Sequence, residues 1–213
     1  MQTTIAVALS YLLGSIPTSD IIARMRGVDL RASGSGNPGF TNALRVLGPR
    51  FATPVLIVDV AKGVLAVLVM ADILGSGSQL GPSGIRLAAG VAAVAGHIWP
   101  VFARFRGGKG VATACGVFLA MAPLATSFVV LLWVAIVATT RYVSMGSIAA
   151  AVALPFALWL EAGLRDTPPR TSLVTAGALV AVAVVLRHRA NIRRLVKGTE
   201  NRFGKPRGEG GNR

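Results

Sequence analysis

Residues 111–140 read VATACGVFLAMAPLATSFVVLLWVAIVATT and contain no charged side chain. An α-helix rises about 1.5 Å per residue, so a straight helix over this run would reach about 45 Å, well beyond the ~30 Å hydrocarbon core of a bilayer. Pro123 lies near the middle of the run, where a proline breaks a helix. The run is therefore predicted either to form two short helices that both cross a membrane, or to add no crossing.

The composition of the whole chain also indicates a membrane protein. Its 213 residues are 53% hydrophobic and 14% charged, with a mean hydropathy of +0.64, whereas a soluble domain is about a quarter charged. The net charge of +14 would suggest nucleic-acid binding in a soluble protein. Here the basic residues cluster between apolar runs, as in cytoplasmic loops of membrane proteins, so no nucleic-acid partner is predicted.

Residues that bind metals are sparse. Cys115 is the one cysteine in the sequence, which excludes an internal disulfide, and the two histidines, His97 and His188, are far apart. A zinc site is therefore not expected, and neither a metal nor another cofactor is predicted.

The remaining apolar segments define further membrane spans and the loops between them. The predicted spans are 3–23, 52–74, 85–103, 145–160 and 172–186. The positive-inside rule assigns the segments rich in Lys and Arg to the cytoplasm. These segments are the loop 27–50, the cluster Gly96–Thr113 and the tail Arg187–Arg213.

An even number of crossings must lie between the second and third cytoplasmic segments. Two of these crossings come from the spans 145–160 and 172–186. The run 111–140 must therefore add two crossings or none, and Arg141, which follows it, favours two. The sequence therefore predicts an all-α integral membrane protein with seven transmembrane helices, its N-terminus outside and its C-terminus cytoplasmic. Residues 1–204 would form the membrane domain, and 205–213 a basic, disordered tail.

Three polar clusters fall on the predicted cytoplasmic face: SGSGNPGFTNALR (33–45), GHIWPVFARFRGGKGVAT (96–113) and HRANIRRLVKGTENRFG (188–204). Glycine-rich backbone amides together with Arg or Lys bind phosphate and carboxylate groups. His188 and Asn191 are three residues apart, so a helical continuation of the last span would place them on one face. The clusters predict an anion site; the alternative is a set of cationic loops that face anionic lipid headgroups.

Two nucleotide-binding motifs match in letters only. GSGNPG (34–39) fits G-x-G-x-x-G, but a membrane span precedes it where a dinucleotide site needs a strand. GGKG (107–110) lacks the Ser or Thr that follows the Lys of a P-loop. The sequence also lacks a G-x-S-x-G elbow and an H-x-x-x-x-D motif. An enzyme of this sequence is therefore predicted to transfer a group directly between two bound substrates.

Asp59, Lys62 and His97 are candidates of open role. Asp59 and Lys62 are three apart within a span, so they share a helix face. An ionisable pair inside a membrane is often functional, and the alternative is a structural ion pair near the polar end of the span. His97, beside Trp99 and Pro100, is expected to orient a turn through hydrogen bonds.

The clusters resemble the three cytoplasmic motifs of the acyl-phosphate:glycerol-3-phosphate acyltransferases, the bacterial PlsY family. D-x-x-K-G at 59–63 and RYVSMGS at 141–147 also match that pattern. The resemblance implies a seven-helix enzyme of the bacterial inner membrane. It would transfer a fatty acyl group from acyl phosphate to the 1-hydroxyl of glycerol 3-phosphate, releasing phosphate and lysophosphatidic acid, the first acylation of phospholipid synthesis.

The resemblance also implies the site residues and partners. Glycerol 3-phosphate would be bound by Ser35, Arg45, Lys109, His188 and Asn191, of which the first four are the catalytic candidates. The head of acyl phosphate would be held by Asn37, Thr41, Asn42, Gly107, Gly108 and Gly110, and Gly36 and Thr113 complete the predicted binding set. Glu200 would pin the tail motif, with Ser144 and Ser147 at the rim. Membrane lipids and the enzyme that makes acyl phosphate are the implied further partners.

Two questions stay open at the level of sequence. The general base is either His188 or the substrate's own phosphate, and the phosphate is favoured because two bound phosphates would tend to protonate His188. A small transporter of phosphate or organic anions, or a lipid-binding scaffold, is the alternative function. Transporters place their sites at the membrane midplane, often between inverted repeats, whereas these polar motifs all fall on one face.

Overall fold

Helices form every regular element in the residues that the structure, a computed structural model, describes, namely 1–74, 77–165, 167–168 and 170–204. The α-helices are α1 (Gln2–Gly14), α2 (Thr18–Arg24), α3 (Phe40–Leu47), α4 (Pro49–Leu65), α5 (Ala71–Leu74), α6 (Gly81–Ile98), α7 (Val111–Met121), α8 (Pro123–Thr140), α9 (Val143–Leu164), α10 (Thr171–Arg187) and α11 (Arg189–Val196). A π-helical turn (Ala66–Met70) joins α4 to α5, and a 3-10 turn (Val101–Ala103) follows α6. The predicted disordered tail, 205–213, lies outside the described residues.

Pro123 divides the long apolar run, as predicted. α7 ends at Met121, Ala122 has φ −150° and ψ 75°, and α8 begins at Pro123. Proline suits the first helical position because its missing N–H would have no intrahelical acceptor there. α8 has 18 residues, enough to cross a bilayer, whereas the 11 residues of α7 rise only about 16 Å. The break into two helices is confirmed; α8 alone is long enough to be a candidate span, and a crossing by α7 stays a prediction.

Several helical segments in the described part of the chain are long and apolar enough to cross a membrane. These are Gln2–Arg24, Pro49–Leu74, Gly81–Ala103, Pro123–Thr140 and Val143–Leu164. α10 and α11 make a sixth if the pair, which is bent by 59°, is counted as one span. The bend lies at His188, where the sequence predicted a straight continuation. Lengths and composition therefore support a multi-pass membrane protein.

The first polar loop is more helical than the sequence predicted. The predicted loop 27–50 contains α3, and α4 already starts at Pro49. Ala43 on α3 and Val55 on α4 pack in one buried cluster with Leu30 and Ala23. The loop is therefore folded against the start of α4 by its apolar side chains, a long-range effect that the local pattern does not reveal.

Glycines bring two helix pairs into close contact. A side chain at Gly63 on α4 would overlap the carbonyl oxygen of Thr113 on α7, and one at Gly116 on α7 would overlap that of Val60 on α4. Gly14 on α1 faces the backbone of α6 in the same way. Small residues at such contacts let the backbones of membrane helices approach each other. The pairing of α4 with α7 brings the first and second polar clusters together.

We expect Gly63→Ala to lower the thermal stability of the detergent-solubilised protein, because the added methyl meets backbone atoms that cannot move aside. Overpacking of this kind typically costs 1–3 kcal/mol, taken as about 2 kcal/mol here. The measurement is the midpoint of thermal unfolding. Gly163→Ala is the matched control, since Gly163 on α9 has open space around it. An unchanged midpoint for Gly63→Ala would contradict the close α4–α7 contact.

Candidate active site

A cavity of about 360 Å³ lies where the three polar clusters meet. Most of the predicted site residues line its polar part, namely Ser35, Asn37, Thr41, Asn42, Arg45, Lys109, Gly110, Ser144, Ser147, His188, Asn191 and Glu200. Its other part is apolar and is lined by Phe118, Val129, Trp133, Leu154 and Val180, among others. One cavity therefore joins a polar mouth to an apolar arm.

Four predicted residues do not line this cavity: Gly36, Gly107, Gly108 and Thr113. Gly36 lies in an exposed turn, where its N–H donates to the carbonyl of Ser33 at 3.0 Å. Thr113 is fully buried on α7, and its hydroxyl has no hydrogen-bond partner. Direct substrate contact by these four residues therefore stays a prediction that the cavity does not support.

Asn42 organises the first loop. Its Nδ2 donates to the carbonyls of Leu30 and Ser33, each at 3.0 Å, and its Oδ1 accepts from the N–H of Ser35 at 2.8 Å. Gly34 adopts φ +62° beside it, and a side chain there would overlap Asn42 Oδ1. The amide predicted to bind acyl phosphate is thus used within the loop, because a loop of this shape leaves backbone groups that need partners.

The Gly107–Gly108 turn holds the second cluster in place. The N–H of Gly107 donates to Ile98 O at 3.2 Å, and that of Gly108 donates to His97 O at 3.1 Å. Arg187 donates to both glycine carbonyls, at 2.8 Å from Nη2 and 3.2 Å from Nε. The sequence predicts that these two amides cradle a phosphate, whereas in this structure they donate to carbonyls at the end of α6.

The first turn of α7 is placed to bind an anion with its backbone N–H groups, which the amides of Gly107 and Gly108 do not do in this structure. Gly110 has φ +84°, a left-handed conformation that glycine adopts easily, and α7 begins at the next residue. Gly110, Val111 and Ala112 all line the cavity. The first N–H groups of a helix have no intrahelical acceptor, and together with the helix dipole they favour an anion.

A chain of hydrogen bonds connects the second and third clusters. Lys109 Nζ donates to Asn191 Oδ1 at 2.7 Å, and Asn191 Nδ2 donates to Glu200 Oε1 at 2.7 Å. Ser144 donates to the same oxygen at 2.8 Å, and Arg194 Nε donates to Glu200 Oε2 at 2.6 Å. Glu200 thus ties the tail to α9 and α11, in agreement with its predicted anchoring role. Both ends of the Asn191 amide are used in positioning Lys109 and Glu200.

Burial weakens the charge of Lys109 when no anion is bound. Burial, the largest cause, acts with Arg194 and Arg45 and against Glu200, and together they lower the pKa of Lys109 from 10.5 to about 8. For Glu200, burial acts to raise the pKa, but the hydrogen bonds from Asn191, Arg194 and Ser144 outweigh it, and the pKa is lowered. Glu200 therefore stays ionised, while Lys109 can lose its proton at mildly alkaline pH.

His188, which directly follows α10, is a neutral acceptor in this arrangement. Its side chain is buried, and Nδ1 lies 2.8 Å from the carbonyl of Val184. A carbonyl only accepts, so Nδ1 carries the proton and Nε2 keeps its lone pair. Burial, reinforced by Lys109, lowers the pKa of His188 to about 4. The buried ring is therefore neutral in this structure, whereas the sequence predicts a protonated ring beside bound phosphates.

Arg194 and Arg187 are site residues that the sequence analysis missed. Arg194 lines the cavity, and Arg187 holds the glycine turn. Arg194 lies three residues after Asn191, as Asn191 does after His188, so the helical spacing could have identified it. Arg187 offered no such signal, since its acceptors are backbone carbonyls about eighty residues earlier in the chain.

Comparison with known proteins agrees with the resemblance in the motifs. The family model described as glycerol-3-phosphate acyltransferase matches residues 4–198. Two glycerol-3-phosphate acyltransferases are close relatives. The protein from Geobacter sulfurreducens is 48% identical, covering 95% of this chain and 98% of the relative. The protein from Desulforudis audaxviator is 44% identical, covering 95% and 96%.

The fold is also that of a solved member. The crystal structure of PlsY (YgiH), an integral membrane glycerol 3-phosphate acyltransferase, in its glycerol 3-phosphate form matches with a TM-score of 0.83 at 38% identity over 96% of both chains. Its lysophosphatidic acid form matches with a TM-score of 0.80 at 37% identity. Because the matches in sequence and structure extend over nearly the whole chain, this chain belongs to the glycerol-3-phosphate acyltransferase family.

Proposed function

We propose that this chain transfers a fatty acyl group from acyl phosphate to the 1-hydroxyl of glycerol 3-phosphate, without a covalent acyl-enzyme. The observation that carries the proposal is the single cavity that joins a cation-lined mouth to an apolar arm. The mouth suits two phosphate-bearing groups, and the arm suits an alkyl chain. PlsY, which shares the fold, has been solved with glycerol 3-phosphate and with lysophosphatidic acid.

The two phosphates have separate supports in the mouth. We assign the phosphate of glycerol 3-phosphate to Arg45, Lys109 and Ser35, with Arg194 nearby, because Arg and Lys donate charge-assisted hydrogen bonds. We assign the phosphate of the donor to Asn37, Thr41 and the first N–H groups of α7. Ser144 and Ser147 lie at the start of the apolar arm, where Trp133 Nε1 donates to Ser147 Oγ at 3.2 Å.

Acyl phosphate is a mixed anhydride, so its carbonyl needs no enzyme nucleophile. The 1-hydroxyl oxygen attacks the carbonyl carbon, the bond from that carbon to the phosphate oxygen breaks, and phosphate leaves with the electron pair. Catalysis then consists of aligning the hydroxyl with the carbonyl and stabilising the charge that develops. Lys109 and the α7 amides can provide that stabilisation at the polar mouth.

The hydroxyl proton has two possible acceptors, and we assign it to a substrate phosphate. The Nε2 lone pair of His188 accepts a hydrogen bond and so can orient the hydroxyl. We choose the phosphate because its oxygens can take the proton directly, whereas His188 Nδ1 already donates to the carbonyl of Val184. His188 therefore positions the hydroxyl, and the proton leaves with the phosphate.

We infer that the chain crosses the membrane seven times, with α7 and α8 as separate crossings, the N-terminus outside and the C-terminus cytoplasmic. Eighteen of the 22 Lys and Arg residues then lie on the cytoplasmic side. The polar mouth faces the cytoplasm, where glycerol 3-phosphate is dissolved, and the apolar arm lies among the helices at the depth of lipid tails. The membrane would be the bacterial inner membrane. The enzyme that makes acyl phosphate is the partner this arrangement implies.

Lys109→Ala and Arg45→Ala should each lower phosphate release by roughly a hundredfold, because each removes a cation from the polar mouth. The assay supplies purified protein in detergent with acyl phosphate and glycerol 3-phosphate, and measures inorganic phosphate. The control is Lys197→Ala, which removes an exposed lysine directly after α11. Acyl-CoA and acylated acyl carrier protein, assayed in parallel by the formation of lysophosphatidic acid, should not replace acyl phosphate. Release that is unaffected by both alanine variants would refute the assigned site.

Adjacent arginines offer a sharper test. Arg194 lines the cavity and binds Glu200, whereas Arg193 is exposed. Arg194→Ala should raise the KM for glycerol 3-phosphate at least tenfold, because it removes a cation and releases Glu200 from its partner. Arg193→Ala should retain the parental kinetics. Equal effects of the two variants would mean that the tail acts only through its net charge.

The activity should decline at alkaline pH through Lys109. The charged ammonium binds anions, and kcat/KM reports the free enzyme, so kcat/KM should fall as pH rises above about 8, approaching tenfold per pH unit. Lys109→Arg keeps its charge to much higher pH because a guanidinium is a far weaker acid than an ammonium and stays protonated in proteins. In that variant, the decline near pH 8 should disappear, although the activity is lower. A decline that persists there would assign it to another group.

A further inference from the structure

Asp59 and Lys62 form a buried ion pair that the acyl transfer itself does not use. Lys62 Nζ donates to Asp59 Oδ1 at 2.7 Å and to the carbonyl of Ile16 at 2.6 Å. The side chain of Lys62 is 2% exposed and that of Asp59 is 4% exposed. Ile16 lies in the break between α1 and α2, so the pair connects that break to α4. Buried ion pairs add little stability compared with apolar residues of the same size, so stability alone does not explain the pair.

His97 lies beside the same carboxylate oxygen. Its Nδ1 is 3.8 Å from Asp59 Oδ1, and its Nε2 faces Gly108, where a side chain would overlap the ring. Nε2 is therefore packed against the turn and is not free to serve a substrate. Asp59 and His97 line both the main cavity and a second one of about 20 Å³. The two side chains thus form the partition between these cavities.

The Gly107–Gly108 turn is held on every side. The carbonyls at the end of α6 accept from its two amides, Arg187 donates to its two carbonyls, and the His97 ring fills the space beside Gly108. Lys109 follows immediately, and its Nζ reaches Asn191. The direction in which Lys109 leaves the turn therefore depends on where the His97 ring lies.

We propose that Asp59 and Lys62 are positioning residues, which fix the His97 ring against the Gly107–Gly108 turn and so hold Lys109 at the polar mouth. Lys62 holds the Asp59 carboxylate, the carboxylate sets the orientation of the imidazole, and the imidazole sets the turn. This inference rests on the proposed function, because it takes Lys109 as the residue that binds the substrate. It assigns His97 the role of orienting a turn that its sequence context suggested.

The test removes both charges together, because a single substitution would leave an unpaired buried charge. Asp59→Asn with Lys62→Met keeps the approximate volume of both side chains. The matched control is Asp72→Asn with Arg86→Gln. This second pair, with contacts of 2.6 and 2.7 Å, joins α5 to α6, and both its residues lie away from the cavity. Folding is monitored by size-exclusion chromatography and thermal unfolding in detergent.

At equal folded protein, the Asp59→Asn/Lys62→Met variant should lose at least tenfold in kcat/KM for glycerol 3-phosphate. The pH above which kcat/KM falls should also move away from 8 in this variant, because the surroundings of Lys109 have changed. The control pair should change neither the kinetics nor the pH of the decline, whatever its unfolding temperature. His97→Asn should reproduce the kinetic change without removing a buried charge, and it decides the question if the double variant does not fold.

The inference would be overturned if the folded double variant, or His97→Asn, kept the parental kcat/KM and the parental pH of its decline. An equal kinetic loss in the control pair would also overturn it, since the effect would then follow stability alone. A failure of the proposed function is distinguishable, because it would appear as unchanged phosphate release in Lys109→Ala. In that case the assigned role of Lys109 fails, whatever the ion-pair variants show.

Discussion

The carboxylate of Glu200 allows several cations to converge at the end of a helical bundle. Arg194 binds one of its oxygens, while Asn191 and Ser144 bind the other, and Asn191 passes the connection on to Lys109. Without an anion at this position, the cations would repel one another and the buried ammonium would lose its proton more easily. Glu200 is therefore a permanent counter-charge that acts to raise the pKa of Lys109, although burial still holds this pKa below 10.5. A bound phosphate would raise it further.

The hairpin of α7 and α8 gives the cavity its two chemical characters. α7 begins at Val111, directly after Gly110 at the polar mouth, and Phe118, two turns further along, lines the apolar arm. The chain reverses at Ala122 and Pro123, and α8 adds Val129 and Trp133 to the arm before it ends near Ser144. One helix pair thus supplies unpaired N–H groups at one end and an apolar surface along its length, as a substrate with a phosphate head and an alkyl chain requires.

Individual residues show which parts of the candidate site the sequence could predict. The three clusters converge because each contains cations and hydrogen-bond donors next to an apolar span, and both features are visible in composition. Asn42, Gly107 and Gly108 show the limit, because the sequence predicts substrate contacts for them and the structure gives them partners within the protein. Their donors and acceptors are used by backbone groups of the same loop or of α6, and a sequence pattern does not show which polar group finds its partner within the protein. Arg187 was missed for the same reason.

By itself, the sequence determined that the chain is apolar enough for a membrane and that its long apolar helix breaks at Pro123. It also determined that the chain carries three clusters of cations and hydrogen-bond donors and resembles one acyltransferase family. These properties depend on local composition, on proline geometry and on motif identity. Only the tertiary structure decided which donors face the cavity, the neutral state of His188, the connection from Lys109 to Glu200, and the place of Asp59 and Lys62 beside His97. Each of these depends on contacts between residues far apart in the chain, because burial and partners set the charge and direction of a side chain.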